Sequence, residues 1–410
     1  MESTDARAAV AYLRTADAVR ERAHGLLKLA ERDALEHFIY RADRLPQAID
    51  YVLETIRSRY PDLHIPFHSR WRHFTASGRD RWMELSRDLD IRDPAERARV
   101  RFDLAATSVL LDAGAGTRWQ YREAGGATYG RSEGLAVASF QLFRSGAFSS
   151  DPQHPWRADA ITLTALGPAG LADGLQVSRE NPMPGLEGRL ALLKRTGEAL
   201  TARPDLFGRG ARFGNLFDHL ASTAHRGAIS ARQILNALID GLGNIWPGRL
   251  VLAGVPLGDV WRHKAAHGAG ASAGYVPFHK LSQWLAYSLI EPLEEAGLGV
   301  TEIDALTGLA EYRNGGLMID SGLIEPRDPS LLSRSVPVDA EPVVEWRALT
   351  VALLDRIADG LRTRLGSSAE DLPLAKVLEG GTWAAGRRLA EARRADGAPP
   401  FRVESDGTVF

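Results

Sequence analysis

The sequence predicts a mainly α protein with small β elements, on three observations. Apolar residues recur at three- and four-residue steps over most of its 410 residues. Strand-like and helix-like segments do not alternate as a parallel sheet requires. Period-two alternation is confined to residues 117–131 and to the closing FRVESDGTVF.

The elements follow in chain order. Residues 5–32 and 33–58 read as helices rich in Ala, Leu, Arg and Glu, stopped by Pro61 and Pro66. Residues 94–112 and 133–144 are the next two, and 186–202 follows the Pro-rich NPMPG. ISARQILNALIDGLG places Ser230 and Gln233 as a capping box, with Gly241 or Gly243 as the stop. Residues 278–296, 301–313 and 341–365 are the strongest helices of the C-terminal half. The Gly/Ala segment 265–274 reads as a flexible loop, and 395–410 as a tail with a hairpin around Asp406-Gly407. No tandem repeat or low-complexity linker divides the chain, so 1–410 reads as one domain.

Composition excludes several functions. The chain is 44% hydrophobic and 25% charged, as in a folded globular protein. Its net charge of −2 leaves no polybasic footprint for nucleic acid. It has no cysteine, which removes disulfides, thiolate metal ligands and a Cys nucleophile. The N-terminus is charged throughout and lacks the apolar core of a secretion signal. No apolar run reaches the ~18 residues of a membrane span. The expectation is a cytoplasmic protein with no membrane and no nucleic-acid partner.

The stretch SVLLDAGAGTRWQYRE, residues 108–123, raises the question of a nucleotide-cofactor turn. Such a turn needs a helix after the glycines and then a strand ending in an acid. Here an aromatic, Gly-broken TRWQYREAGGATYG follows instead. A phosphoribosyltransferase loop carries adjacent acids, whereas Asp112 stands alone. The simpler reading is a helix ending at Asp112, Gly114 as its C-cap, a small hairpin carrying Trp119 and Tyr121, and a helix capped by Ser132 with Glu133 in its first turn. Arg131 beside that helix N-terminus suits a phosphate. Each of these residues is also explained by capping or packing alone.

The strongest constellation is C-terminal. VPFHKLSQWLAYSLIEPLEEAGL places Lys280 beside Phe278 and His279 at the start of an apolar helix. Lysine is rare here, five residues in all, and a desolvated lysine is the cation whose proton can be lost. Downstream, TEIDALTGLAEYRNGGL read as a helix puts Asp304 and Glu311 on one face, seven residues apart. Asp304 is more simply a first-turn residue, and Glu311 either pairs with an arginine or serves chemistry. Arg313 and Arg347 offer forks for phosphate or carboxylate, and Arg347 equally suits an ion pair with Glu345 or Glu311. Metal signals are weak: His263 and His267 stand at i, i+4 beside a Gly/Ala loop, and Pro66 separates His64 from His68. No metal ligand set and no cofactor is expected, and no G-x-S-x-G elbow appears.

PFHKLSQ, LTGLAEYRNGGL…GLI and VEWRALTV resemble blocks of the queuosine-salvage N-glycosidases, which are similar in fold to helix-hairpin-helix DNA glycosylases. In that family a Lys follows Pro-Phe-aromatic, and an Asp lies about thirty residues on in a Phe-Ala-Asp-Tyr-Arg block. Lys280 and Glu311 fall on those positions at an interval of 31 residues, with Glu in place of Asp. A longer resemblance covers residues 20–365. SVLLDAGAGTRWQYRE, GRSEGLAVASF, NPMPGLEGRLALLKR, GNLFDHL, LIDGLGNIWPGRL and LGDVWRH are similar to the fungal and bacterial uracil-catabolism family represented by the fourth protein of the URC pathway.

Together these resemblances imply one two-lobed catalytic domain that cleaves the N-glycosidic bond of a ring-opened uridine nucleotide, such as N-ribosylurea 5-phosphate. Glu311 would be the carboxylate at C1′, and Lys280 would hold it ionised, protonate the leaving nitrogen or bind phosphate. Asp112 and Glu133 would accept hydrogen bonds from ribose hydroxyls or a ureido group, Arg131, Arg313 and Arg347 would hold phosphate, and Trp119, Tyr121, Tyr312 and His279 would line the ligand. Two other classes stay open. A phosphoribosyltransferase or other nucleotide-cofactor transferase predicts that 108–116 is strand and turn in a parallel sheet. A non-catalytic nucleotide-binding protein predicts binding without turnover.

Overall fold

The computed structural model describes residues 4–89, 91–247, 250–404 and 407–408. It is 57% helical, and every sheet among the described residues has two strands, so the fold is mainly α with small β elements. The chain divides into two compact units, each assembled from separate stretches. The first takes Met1–His68, Arg249–Gln283 and Glu302–Glu404; the second takes Ser69–Gly248, Trp284–Thr301 and Ser405–Phe410.

The first unit is built on the helix Glu341–Leu365, which is buried on all sides from Val343 to Leu354. A helix apolar all round belongs in a core. The helices Ala16–Ala30 and Leu45–Arg59 pack on it, and Tyr312–Asp320 packs on Trp383–Arg393. Two charged residues lie within the buried stretch, and each has partners. Glu345 accepts the backbone N–H groups of His37 (3.1 Å) and Phe38 (2.7 Å) and meets His263 Nε2 at 3.1 Å. Arg347 is taken by Asp259. The sequence offered Glu345 or Glu311 for this ion pair; the pair seen is with Asp259.

In the second unit, the helix Pro94–Leu110 packs against Arg131–Arg144 and Leu216–Thr223. The expected small β element is the antiparallel pair Gln120–Arg122 and Thr128–Gly130, with Tyr121 opposite Tyr129. The Ser230/Gln233 capping box is present, and Gly243 is the C-cap of Ala231–Leu242.

Several boundaries differ from expectation. Residues 5–32 form two helices, Thr4–Leu13 and Ala16–Ala30, because the Thr15 side chain accepts from Ala18 N and starts a new one. Residues 33–41 are not helical: Phe38–Tyr40 pairs antiparallel with Ile324–Pro326, a partner remote in sequence, and helical turns resume at Ala42–Arg44. Residues 301–313 are not a helix either. A strand ends at Thr301, a single turn spans Ile303–Ala305, and the helix begins only at Tyr312. Asp304 and Glu311 therefore share no helix face; Asp304 instead accepts Leu374 N and pairs with Arg362. The loop 265–274 contains a turn at Gly270–Ser272 and is packed, its Ala271 N donating to Asp5. At the C-terminus Arg402–Val403 pairs in parallel with Ser335–Val336; Asp406 and residues 409–410, which the expected hairpin needs, lie outside the described residues.

SVLLDAGAG is the end of a helix. The helix stops at Leu110, its C-cap is Leu111 rather than Gly114, and the left-handed glycine is Gly116 at φ +75°. Arg189 bridges the turn between them. Arg189, fully buried, donates Nε to Leu111 O (3.1 Å), Nη1 to Pro184 O (2.6 Å), and Nη2 to Ala113 O (2.8 Å) and Gly114 O (2.9 Å). Leu111 and Ala113 are buried, and a buried carbonyl needs a donor. The parallel sheet that a transferase reading requires is absent from the described residues.

Candidate functional site in the first unit

Glu311 is the N-cap of Tyr312–Asp320, with extended backbone (φ −122°, ψ 172°). Its carboxylate accepts Arg313 N at 2.7 Å and Asn314 N at 2.6 Å. An acid suits this position, because the first N–H groups of a helix lack internal partners and the helix dipole favours negative charge there. The structure thus gives Glu311 a local role that the sequence did not assign. Burial pushes its pKa up from the ordinary carboxylate value; the two backbone N–H groups and the charges of Lys280 and His68 pull against that rise without cancelling it. Lys280 and Glu311, chosen from the sequence, are therefore within electrostatic reach of each other.

Lys280 begins the helix Lys280–Glu295, and Asp259 shapes its entry. The Asp259 backbone carbonyl accepts Phe278 N at 2.9 Å, and its carboxylate accepts Lys280 N at 2.9 Å and the Trp261 indole N–H at 2.6 Å. Arg347 closes on the same carboxylate and also lies 4.0 Å from the centre of the Phe278 ring. His279, between Phe278 and the helix, has φ +47°, a left-handed conformation uncommon outside glycine. Its Nε2 meets Leu13 O at 2.8 Å, and burial lowers its pKa, which favours the neutral ring.

The loop before Glu311 is fastened from this helix as well. Gln283 accepts Thr307 N (2.7 Å) and donates to Thr307 Oγ1 (2.7 Å). Residues 305–310 are all buried, and Asn314 Nδ2 donates to Leu309 O at 3.2 Å. Arg313 is buried, donates Nη1 to Gly397 O at 3.0 Å and lies 5.0 Å from the Tyr312 ring centre. Tyr312 is half-buried.

Two residues that sequence reasoning missed complete this cluster. His68, 3% exposed, places Nδ1 2.9 Å from Glu379 Oε2. Glu379, also buried, receives Arg59 Nη2 and the Tyr60 hydroxyl on Oε1, each at 3.2 Å. It lies in a single π-turn, Leu378–Thr382, a form that concentrates at functional sites. Gly380 and Gly381 follow, and a Cβ on Gly381 would lie 2.5 Å from Val52. An acid ahead of Gly-Gly in an otherwise apolar run was the signal available. His68 was weighed only as a metal ligand with His64, which is exposed and sits beside Asp62. His263 and His267 also fail as a helical pair, since His263 follows the strand Val260–Arg262 and contacts Glu345. Among the described residues no group of three or more His, Cys, Asp or Glu side chains is placed to hold a metal ion.

The remaining expected ligand residues lie in the second unit. Asp112 accepts the Ser132 hydroxyl at 2.7 Å and pairs with Arg70 Nη1 at 2.9 Å. Ser132 is not the N-cap of Arg131–Arg144; that position is Gly130, and the hydroxyl is used on Asp112 instead. Arg70, fully buried, also donates Nε to Ser108 Oγ at 2.7 Å. Arg131 (φ +52°) and Glu133 occupy the first turn and are half-buried. Trp119 is 1% exposed and donates its indole N–H to Leu175 O at 2.9 Å, while Tyr121 is buried opposite Tyr129.

A helical scaffold that buries a carboxylate at a helix start, with a lysine and a carboxylate-backed imidazole within charge range, has the make-up of an acid–base site. The chain belongs to the family described as a protein of unknown function, DUF1688, which matches residues 12–410. It is 36% identical to the Uracil catabolism protein 4 of Lachancea kluyveri, over 98% of this chain and 99% of that protein. It is 37% identical to the Protein urg3 of Schizosaccharomyces pombe, over the same shares. No helix among the described residues is long and apolar enough to cross a membrane.

Proposed function

We propose that this protein acts in uracil catabolism as an N-glycosidase. It cleaves the C1′–N bond of a ring-opened uridine nucleotide, such as N-ribosylurea 5-phosphate, and releases urea and ribose 5-phosphate. The relative named Uracil catabolism protein 4, aligned over nearly its whole length, supports the process. The observation that carries the reaction type is the Glu311 carboxylate, fixed by two backbone N–H groups with the Lys280 charge in range.

Cleavage of a C1′–N bond builds positive charge on the sugar. A carboxylate beside C1′ stabilises that charge, and a general base activates the water that captures it. Glu311 supplies the carboxylate. Its two N–H partners fix its orientation, so it reorganises little as the charge develops. Lys280 pulls the Glu311 pKa down against the effect of burial, in the same sense as the two backbone N–H groups. The proposal requires no cofactor.

The test is mass spectrometry of the purified protein with N-ribosylurea 5-phosphate, uridine 5′-phosphate and purine nucleotides, wild type beside Glu311→Gln. Urea and ribose 5-phosphate appear with the first substrate for wild type, and the variant is slower by about a hundredfold or more. Release of nothing from any substrate, with a ligand still raising the melting temperature, would point to the non-catalytic binding class.

A further inference from the structure

A ureido nitrogen is a poor leaving group as an anion, so cleavage of its bond to C1′ needs a proton delivered as the bond breaks. The proposed function supplies a carboxylate and a lysine but does not say which group gives that proton. We infer that His68 is the general acid of this site and that Glu379 is its positioning residue. The inference rests on the N-glycosidase reading and deepens it.

The geometry is that of an oriented imidazole. Nδ1 of His68 lies 2.9 Å from Glu379 Oε2, so the ring is held in one orientation and Nε2 is the nitrogen that exchanges a proton with substrate. A carboxylate on the far nitrogen stabilises the imidazolium and sets the tautomer, the role the third member of a catalytic triad plays. Glu379 is itself held, by Arg59 and Tyr60 on its other oxygen. The backbone of His68 is fixed by its N–H to Ala375 O at 2.9 Å, and the Trp383 ring stands with its centre 6.5 Å from the imidazole. Three residues, Glu379, Ala375 and Trp383, thus fix the backbone and ring of His68.

The charged groups around it fit the same assignment. Glu379 faces His68 from the π-turn, with Arg59 and Tyr60 behind it from Leu45–Arg59 and its C-cap. Lys376 lies over the ring of Phe67, next to His68 in the chain. Glu311 is close enough for the charge of His68 to lower its pKa, and Lys280 acts on Glu311 in the same sense. The carboxylate and the imidazole thus lie within charge range of each other, and the Lys280 charge favours the ionised form of the first.

The step balances. The C1′–N electron pair passes to nitrogen, which takes the proton from Nε2 of His68. Water adds to C1′, and its proton goes to Glu311. Urea and ribose 5-phosphate leave, and the proton on Glu311 returns through solvent to His68. One water is consumed, and nothing is oxidised or reduced.

The test compares two leaving groups on the same sugar: N-ribosylurea 5-phosphate, which needs a proton, and p-nitrophenyl β-D-ribofuranoside 5-phosphate, whose phenolate departs without one. His68→Gln is expected to lose about a hundredfold or more on the first and at most about threefold on the second, whereas Glu311→Gln loses heavily on both. Glu379→Gln is expected to show the same split as His68→Gln, a loss on the ureido compound and little change on the p-nitrophenyl compound, because the imidazole has lost the carboxylate that orients it. An equal loss of both activities in His68→Gln, or of neither, would overturn the inference while a dead Glu311→Gln left the glycosidase reading standing. An equal effect of Glu379→Gln on both compounds would also overturn it. A wild type that cleaves neither compound would overturn both together.

Discussion

Asp259 and Arg347 meet through two parallel bonds, Nη1 to Oδ1 and Nη2 to Oδ2, each 2.8 Å long, and both side chains are buried. The pair joins two distant parts of the chain. Arg347 is rooted in the central helix Glu341–Leu365, and the carboxylate it holds also caps the first N–H of the helix that begins with Lys280. Lys280 is thus fixed to the core of the first unit through Asp259.

Removing one partner strands the other's charge in the interior. Asp259→Asn or Arg347→Met is expected to cost about 3–5 kcal/mol, and the double variant less than the sum of the two. Urea denaturation of the four proteins measures this; strictly additive losses would show that the pair is not coupled. The pH sign follows from the pKa. Burial alone would raise that of Asp259, but Arg347 and the donors from Lys280 and Trp261 outweigh it and hold it well below the ordinary value. A depressed carboxylate contributes stability that is present above its unfolded pKa, about 3.9, and lost as pH falls below it. The cost of Asp259→Asn should therefore be full at neutral pH and shrink in strong acid.

Glu311 behaves in the opposite sense. Burial raises its folded pKa, so its contribution is present below the unfolded value and lost as pH rises through the folded one. Glu311→Gln removes that ionisation and keeps one acceptor for the helix N-terminus. Relative to wild type, the variant should gain melting temperature as pH rises above the unfolded value, about 4.3, while losing turnover. A parallel pH dependence of the two proteins would mean that Glu311 is not held against its charge.

The sequence displayed the elements that carry their own signals. The Ser230/Gln233 box and the limits of Glu341–Leu365 are local and were legible. The misread stretch 301–313 shows why pattern alone fails. Ile303, Leu306, Leu309 and Ala310 have helical spacing, but residues 305–310 are buried on every side, so the apolar spacing reports burial rather than a helix face. Phe38–Tyr40 could not be read locally because its partner, Ile324–Pro326, is a remote stretch of chain. Lys280 and Glu311 were visible through motif resemblance. His68 and Glu379 were not, since one sits behind a proline and the other in a π-turn, and only folding brings them to 2.9 Å.

Arg189 tests the Gly turn in the second unit. Burial pushes its pKa down to about 10, so it remains charged at neutral pH while donating to four backbone carbonyls. A lysine keeps the charge but lacks the planar fork. Arg189→Lys and Arg189→Leu are both expected to lose about 3 kcal/mol or more, because buried carbonyls are left without donors. Full stability in Arg189→Lys would show that charge beside Asp112, rather than fork geometry, holds the turn.

Gly315 controls how closely the helix behind Glu311 approaches the core. A Cβ there would lie 2.2 Å from Trp346 Cζ2 and 2.5 Å from its Cε2, and the Trp346 indole donates to Gly315 O at 3.0 Å. Trp346 is fully enclosed in the central helix, so the tryptophan has no room to yield and the helix Tyr312–Asp320 must shift instead. That shift moves the N–H groups of Arg313 and Asn314 that hold the Glu311 carboxylate. Gly315→Ala should cost about 1–3 kcal/mol from overpacking and lower turnover without touching a reacting group. Gly25→Ala is the matched control: Gly25 is exposed within Ala16–Ala30, and nothing lies within 4 Å of its added Cβ. There the same substitution should stabilise by about 0.5–1 kcal/mol, since alanine is the better helix former. Melting curves of the two variants beside wild type should therefore move in opposite directions. Movement in the same direction would show that helix propensity, not contact with Trp346, sets the effect at Gly315.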